Sequence, residues 1–157
     1  MFKEMKKRIK NEKGLTLIEL LAVIVILAII AAIAIPAIGN IISNSRDKAV
    51  LSDAANLLSG AKIAITDNSC GAGAADTGII TCNNTALAGY FEGVLASTDT
   101  VVYNPSTKVY TINYTKLGTI KNNTKFNVAA VTGGDPGFTG GTSQSITEAS
   151  LKKAMSQ

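Results

Sequence analysis

The sequence predicts an α+β protein: a long N-terminal helix, hydrophobic and then amphipathic, packed on a small antiparallel sheet of three or four strands. Three observations carry this expectation. Residues 20–35 read LLAVIVILAIIAAIAI, an unbroken apolar run. Beyond residue 42 the apolar positions thin to helical spacing. Val50, Ala54, Leu57, Leu58, Ala61 and Ile65 recur with Ser52, Asp53, Asn56, Ser59 and Lys62 between them, which leaves one face to bury. Farther on, residues 100–103 and 108–114 are rich in β-branched and aromatic side chains. They flank Asn104-Pro105-Ser106-Thr107, the pattern of an antiparallel hairpin.

The first 14 residues form a basic leader. Lys3, Lys6, Lys7, Arg8, Lys10 and Lys13 stand against Glu4 and Glu12, so the leader holds the whole net charge of +4 and the remainder is neutral. The pI of 9.1 is therefore a local property. It gives no support for a bulk basic surface that binds nucleic acid. It fits a cytoplasmic N-terminus under the positive-inside rule.

The apolar run is long enough for a membrane. Residues 20–39 supply the roughly 20 helical residues that a bilayer core requires, with Pro36 and Gly39 only at the far end. An ordinary secretory signal peptide has a shorter apolar region, about 7–15 residues, followed by a small-residue cleavage site. Ala31-Ala32-Ile33-Ala34 is a weak version of such a site. A plain single-span anchor is the other bland reading. With no strong stop after residue 42, one helix is expected from about residue 15 to 66, roughly 78 Å at 1.5 Å per residue. Pro36 removes a backbone donor and crowds the carbonyl of Ala32, so a bend is expected there. The expected organisation is a leader at 1–14, a transmembrane half-helix at 15–42, an amphipathic half-helix at 43–66 and a globular head at 67–157.

Within the head, residues 67–84 read as a loop rich in Gly, Ala, Asn and Asp. Residues 85–95 read as a short helix weakened by Gly89 and Gly93. Residues 124–131 are a third strand candidate, and 133–141 a glycine-rich loop. Residues 145–155 suit a helix that Ser145 or Thr147 can cap. Glu148 near its start and Lys152 and Lys153 near its end complement the dipole.

The two cysteines are Cys70 and Cys82. If the head is exported, they lie in an oxidising space and a disulfide is the natural reading; two free thiols are the alternative. A metal site is disfavoured, because two cysteines without any histidine cannot complete a tetrahedral shell.

Enzymatic readings find little support. With no histidine, Ser–His and Cys–His catalysis is excluded, and neither a Walker loop nor a dinucleotide fingerprint is present. No catalytic residue and no cofactor is expected. The stretch at 133–137, Gly-Gly-Asp-Pro-Gly, reads as a surface turn, since one aspartate is too little for calcium. Asn83-Asn84-Thr85, Asn113-Tyr114-Thr115 and Asn122-Asn123-Thr124 match the glycosylation triplet, a pattern common by chance. The tyrosines at 90, 103, 110 and 114 fit strand and core positions better than a base-stacking platform.

One residue fits none of the bland readings. Lys13-Gly14-Leu15-Thr16-Leu17-Ile18-Glu19 runs directly into the apolar stretch, and a carboxylate at the edge of a membrane span is expensive without a partner. The minimal explanation is that Glu19 snorkels to the interface as a helix-start carboxylate. The arrangement as a whole resembles the class III signal segment of type IV pilins and pseudopilins. The resemblance covers about the first third of the chain. It departs at Leu15, where the family most often has phenylalanine.

The resemblance implies a prepilin. A membrane aspartyl peptidase would cut between Gly14 and Leu15 and methylate the new Leu15 amine. An ATPase-driven assembly machine would then draw subunits from the cytoplasmic membrane into a helical homopolymer outside the cell. Glu19 would couple neighbouring subunits, and Pro36 would kink the helix. Major pilins commonly place their disulfide near the C-terminus, so the family lends no role to Cys70 and Cys82. Beneath this reading stand a filament subunit for adhesion, motility or DNA uptake, and a pseudopilin of a type II secretion or competence system. Major pseudopilins often have an acidic calcium loop and no disulfide. Here residues 126–157 hold only Asp135 and Glu148 as acids, which favours the pilin. A membrane-anchored binding protein that never polymerises leaves Glu19 unexplained.

Overall fold

A computed structural model describes residues 2–71, 78–129, 137–142 and 144–157, with side chains from residue 17 onward. Helix α1 spans Phe2–Thr66 without interruption and contains Pro36. It begins at Phe2 rather than at Leu15. The leader is built mostly from Lys, Glu, Met and Arg, all good helix formers, and Gly14 costs a helix only about 1 kcal/mol. The chain divides into two compact units, Met1–Ile42 and Ser43–Gln157, and α1 contributes to both.

In the first unit, every described side chain from residue 17 to 42 is exposed except Ala34, which is half-buried. This includes 16 large apolar residues.

The second unit supplies its own core. Leu51, Ala54, Leu57, Ala61 and Ala64 on α1 are completely buried, the stripe expected from the helical spacing. The helix ends through its backbone. Asn68 takes a left-handed φ of 55°. Ser69 N–H then donates to Ala64 O (2.9 Å) and Asn68 N–H to Ile65 O (3.1 Å), the paired bonds of a Schellman stop. Asparagine tolerates that conformation better than most residues.

Opposite the stripe lies a four-stranded antiparallel sheet in the order β1 (Ile80–Asn83), β2 (Thr100–Asn104), β3 (Val109–Asn113), β4 (Ser145–Thr147). The register aligns Cys82, Val101, Ile112 and Ile146 in one row across all four strands, and all four are fully buried. They form one core with the stripe of α1, Tyr114, Leu117, Phe126 and Phe138. Two residues along, Ile80, Tyr103 and Tyr110 continue the same face, and the two tyrosine rings stack at 4.4 Å. The other face carries Thr81, Val102, Thr111 and Thr147, then Asn83, Thr100, Asn113 and Ser145.

Several expectations for the head change. The segment read as a loop at 67–84 ends in β1, whose apolar signal is only a few residues long. The helix expected at 85–95 shrinks to α2, Asn84–Leu87, capped by Asn83 Oδ1 accepting from Ala86 N–H at 2.9 Å. Gly89 lies just beyond its end. The strand expected at 124–131 is not formed by the described residues 124–129, which make one isolated bridge, Val128 to Phe138. Residues 130–136, which include most of the Gly-Gly-Asp-Pro-Gly stretch, lie outside the described residues. The fourth strand is instead β4, taken from the start of the expected C-terminal helix. That helix, α3, spans Glu148–Met155. Thr147 is its cap, its hydroxyl accepting from Ser150 N–H at 3.2 Å. Glu148 at its first turn pairs with Lys62 on α1 (2.8 Å) and with Lys152 (2.9 Å).

Candidate assembly site on the N-terminal helix

The site residues suggested by the sequence lie on one element. Gly14, Leu15 and Glu19 occupy α1 near its start, and Pro36 lies inside it. Leu15 and Glu19 are four residues apart, about 6 Å along the axis, so their positions share a helix face. The described side chains begin beyond Leu15, at Leu17. Glu19 is exposed, with Ile18 and Leu20 also exposed on either side. It is the single charged residue between 17 and 42, and the next cation along the chain is Arg46. Among the described residues no cation pairs with it.

The apolar length that follows has no cover. Burying a Leu, Ile or Val side chain is worth about 1.5–3 kcal/mol, so 16 of them exposed demand an apolar surrounding from outside the chain. By length and composition α1 can cross a membrane, and none of the qualifying window is buried.

Residues 9–35 match the family model described as a prokaryotic N-terminal methylation motif. The chain carries the class III signal of type IV pilins. The methylation motif spans Gly14, Leu15, Glu19 and the apolar run as far as Ile35, so the residues brought together on α1 are those of the signal. It implies processing by a prepilin peptidase and assembly into a pilus-like filament, and its apolar helix implies membrane insertion first. No curated protein and no solved structure matches the chain.

Away from the motif, Cys70 and Cys82 are joined by a disulfide. It ties the segment after α1 to β1. The asparagines of the three glycosylation-like triplets all hold local structure. Asn83 caps α2. Asn113 Nδ2 donates to Thr100 Oγ1 at 2.9 Å. Asn122 donates to Asn44 Oδ1 at 2.7 Å and accepts from Lys125 N–H at 3.0 Å.

One group escaped the sequence reading. Asp47 is buried on α1, just past the apolar length. Its carboxylate accepts from Lys121 N–H (3.1 and 3.2 Å) and Asn122 N–H (2.9 Å). With the Asn44–Asn122 bond, this latches the 121–122 backbone to the start of the amphipathic half-helix. Its signal was periodicity: Asp47 lies four residues before Leu51, on the buried stripe, where a carboxylate must find donors.

Proposed function

We propose that this chain is a prepilin, made for cleavage between Gly14 and Leu15, methylation of the Leu15 amine and polymerisation into a type IV pilus-like filament as its structural subunit. The observation that carries the reading is the lone carboxylate of Glu19 at the head of an uncovered apolar helix, one turn from the residue whose amine cleavage would free. Apolar helices drawn out of lipid need another apolar surrounding, and a bundle of identical helices supplies it. Inside that bundle an unpaired Glu19 costs several kcal/mol. The positive amine of an incoming subunit removes the cost only in the correct stagger. The carboxylate thus selects register more than it adds stability. In this reading the chain performs no catalysis and needs no cofactor.

Two features favour a pilin over a pseudopilin of a secretion or competence system. The disulfide is present, and residues 126–157 hold two carboxylates, few for a calcium loop. The test is to shear filaments from cells and determine the intact mass of their main protein. A subunit beginning at methylated Leu15 is expected; one beginning beyond Ala34 would mark an ordinary signal peptide. Glu19→Ala, at matched expression, should insert and be cleaved yet give few or no filaments. Wild-type filament yield from that variant defeats the pairing role and leaves Glu19 a snorkelling charge.

A further inference from the structure

We infer that the end of the head next to the apolar helix is a docking surface for the phosphates of anionic phospholipids. It would seat the subunit on the membrane before assembly. The inference rests on reading residues 17–42 as a membrane span. Arg46 and Lys48, both exposed, follow Ile42 by four and six residues, about 6–9 Å along a helix. The headgroup zone beyond the hydrocarbon core is of that thickness, roughly 5–8 Å on each side. A span ending at Ile42 therefore places both cations among headgroups.

The fold adds two more. Asp47 accepts from the backbone N–H groups of Lys121 and Asn122, and Asn44 Oδ1 accepts from the Asn122 side-chain amide, so a loop remote in sequence is fixed against this turn. Successive helix positions are about 100° apart. With Asp47 facing the loop, Arg46 and Lys48 flank it on either side. Lys121 is exposed, and Lys125 is half-exposed with Nζ 5.8 Å from the centre of the Phe126 ring. Among the described residues, no carboxylate pairs with any of the four cations.

The head beyond residue 42 is therefore polarised. Among the described residues, four cations and the carboxylate of Asp47 belong to this end; the other described residues of the head carry five cations and five side-chain carboxylates. An anionic surface attracts the first and has no net attraction for the second. Lys121 and Lys125 also lie too far from the span in sequence to count in the positive-inside balance, which is set near the ends of the span. Folding thus adds positive charge outside the span without opposing the orientation that the leader dictates.

The test uses the full chain in nanodiscs, comparing pure phosphatidylcholine with equal parts phosphatidylcholine and phosphatidylglycerol. A water-soluble acetylating reagent reports lysine accessibility, with exposed Lys153 as the internal reference. Each basic residue near an anionic surface is worth about fivefold in binding. Lys48 and Lys121 should therefore react at least about threefold more slowly in the anionic discs. High salt should restore their rates, and Lys153 should not change. Asp47→Ala should release Lys121 while Lys48 stays protected. The surface pair Lys121→Gln, Lys125→Gln, which leaves the latch intact, should weaken protection of Lys48. Equal rates in the two discs overturn the inference and leave processing at Gly14 untouched. Protection by inorganic phosphate added to the neutral discs equally overturns it in favour of a small-anion site. A chain that fails to enter discs overturns the span reading and this inference together. A mature N-terminus other than Leu15 overturns the prepilin reading alone.

Discussion

Residues 17–42 and residues 43–66 are successive lengths of the same helix, with opposite relations to the rest of the chain. In the first length Ile33 is 71% exposed and Leu17 69%. In the second, Leu51, Leu57 and Ala61 are at 0%. The second length meets a sheet that its own chain provides. The first is exposed along its described length except at Ala34, an apolar surface left open for lipid or other copies to cover. Continuous helix is thus no guide to where stability comes from. The first length answers to its surroundings and the second to the head.

The largest effect that would break this contrast comes from matched truncations. Leu57→Ala should lower head stability by about 2–5 kcal/mol, the range for deleting a buried leucine. Ile26→Ala should leave it within about 0.5 kcal/mol. Thermal unfolding of both in the same detergent, followed by near-UV circular dichroism, checks this. Equal losses would mean that the two lengths share one core.

Cys70→Ser should come next. Closing a loop with eleven residues between the cysteines is worth about 3 kcal/mol in the chain-entropy model. Protease nicking should increase at residues 67–84 and leave the β2–β3 hairpin resistant. Uniform loosening of the head would show that the staple supports more than its own loop.

A smaller loss, and a sharper one, is expected at Gly60. A Cβ there would lie 2.5 Å from the carbonyl oxygen of Tyr90. Alanine gains about 1 kcal/mol in helix propensity, against about 1–3 kcal/mol for overpacking. Gly60→Ala should therefore be net destabilising, read as a lower urea midpoint. A higher midpoint would show that the Tyr90 loop yields and that this part of α1 is less tightly covered than its burial suggests.

The smallest effect is a pH slope at Glu148. Burial by itself would raise this carboxyl. The hydrogen bonds and charges of Lys62 and Lys152 outweigh burial and hold its pKa below the usual 4.5. A carboxylate whose pKa is lower in the folded than in the unfolded state stabilises above the unfolded value, and that contribution fades as pH falls through the folded one. The stability advantage of wild type over Glu148→Gln should therefore be full near neutrality and shrink below about pH 4.5. A difference that does not vary with pH would remove the ion pairs from the account of how α3 is held to α1.

What the sequence made legible follows the same division. The buried stripe at Ala54, Leu57, Leu58 and Ala61 showed itself because helical periodicity is a local signal repeated over several turns. The motif from Gly14 to Glu19 was legible for a different reason: an acid in an apolar run is costly wherever the chain folds. The hairpin was found because its strands and turn are contiguous. β1 and β4 were missed because Ile80–Asn83 and Ser145–Thr147 are very short. They become strands only because β2 and β3 offer them edges, a fact about tertiary pairing. The expected strand at 124–131 failed for the converse reason. Its described β-branched residues found a single bridge to Phe138, while Asn122 and Lys121 were drawn to Asp47 by bonds that no window of sequence contains.

The bond between Cys70 and Cys82 has a consequence for how the chain tolerates change. Both ends of the segment between them are fixed covalently, one just past the helix stop and the other in the buried row of β1. Their positions do not depend on what the intervening residues are. Lengthening a closed loop is cheap, about 0.6 kcal/mol for each doubling. A peptide tag inserted between Gly73 and Ala74 should therefore leave the head folded and its core register unchanged. The molecule thus offers a site where sequence can vary or be engineered independently of the architecture around it.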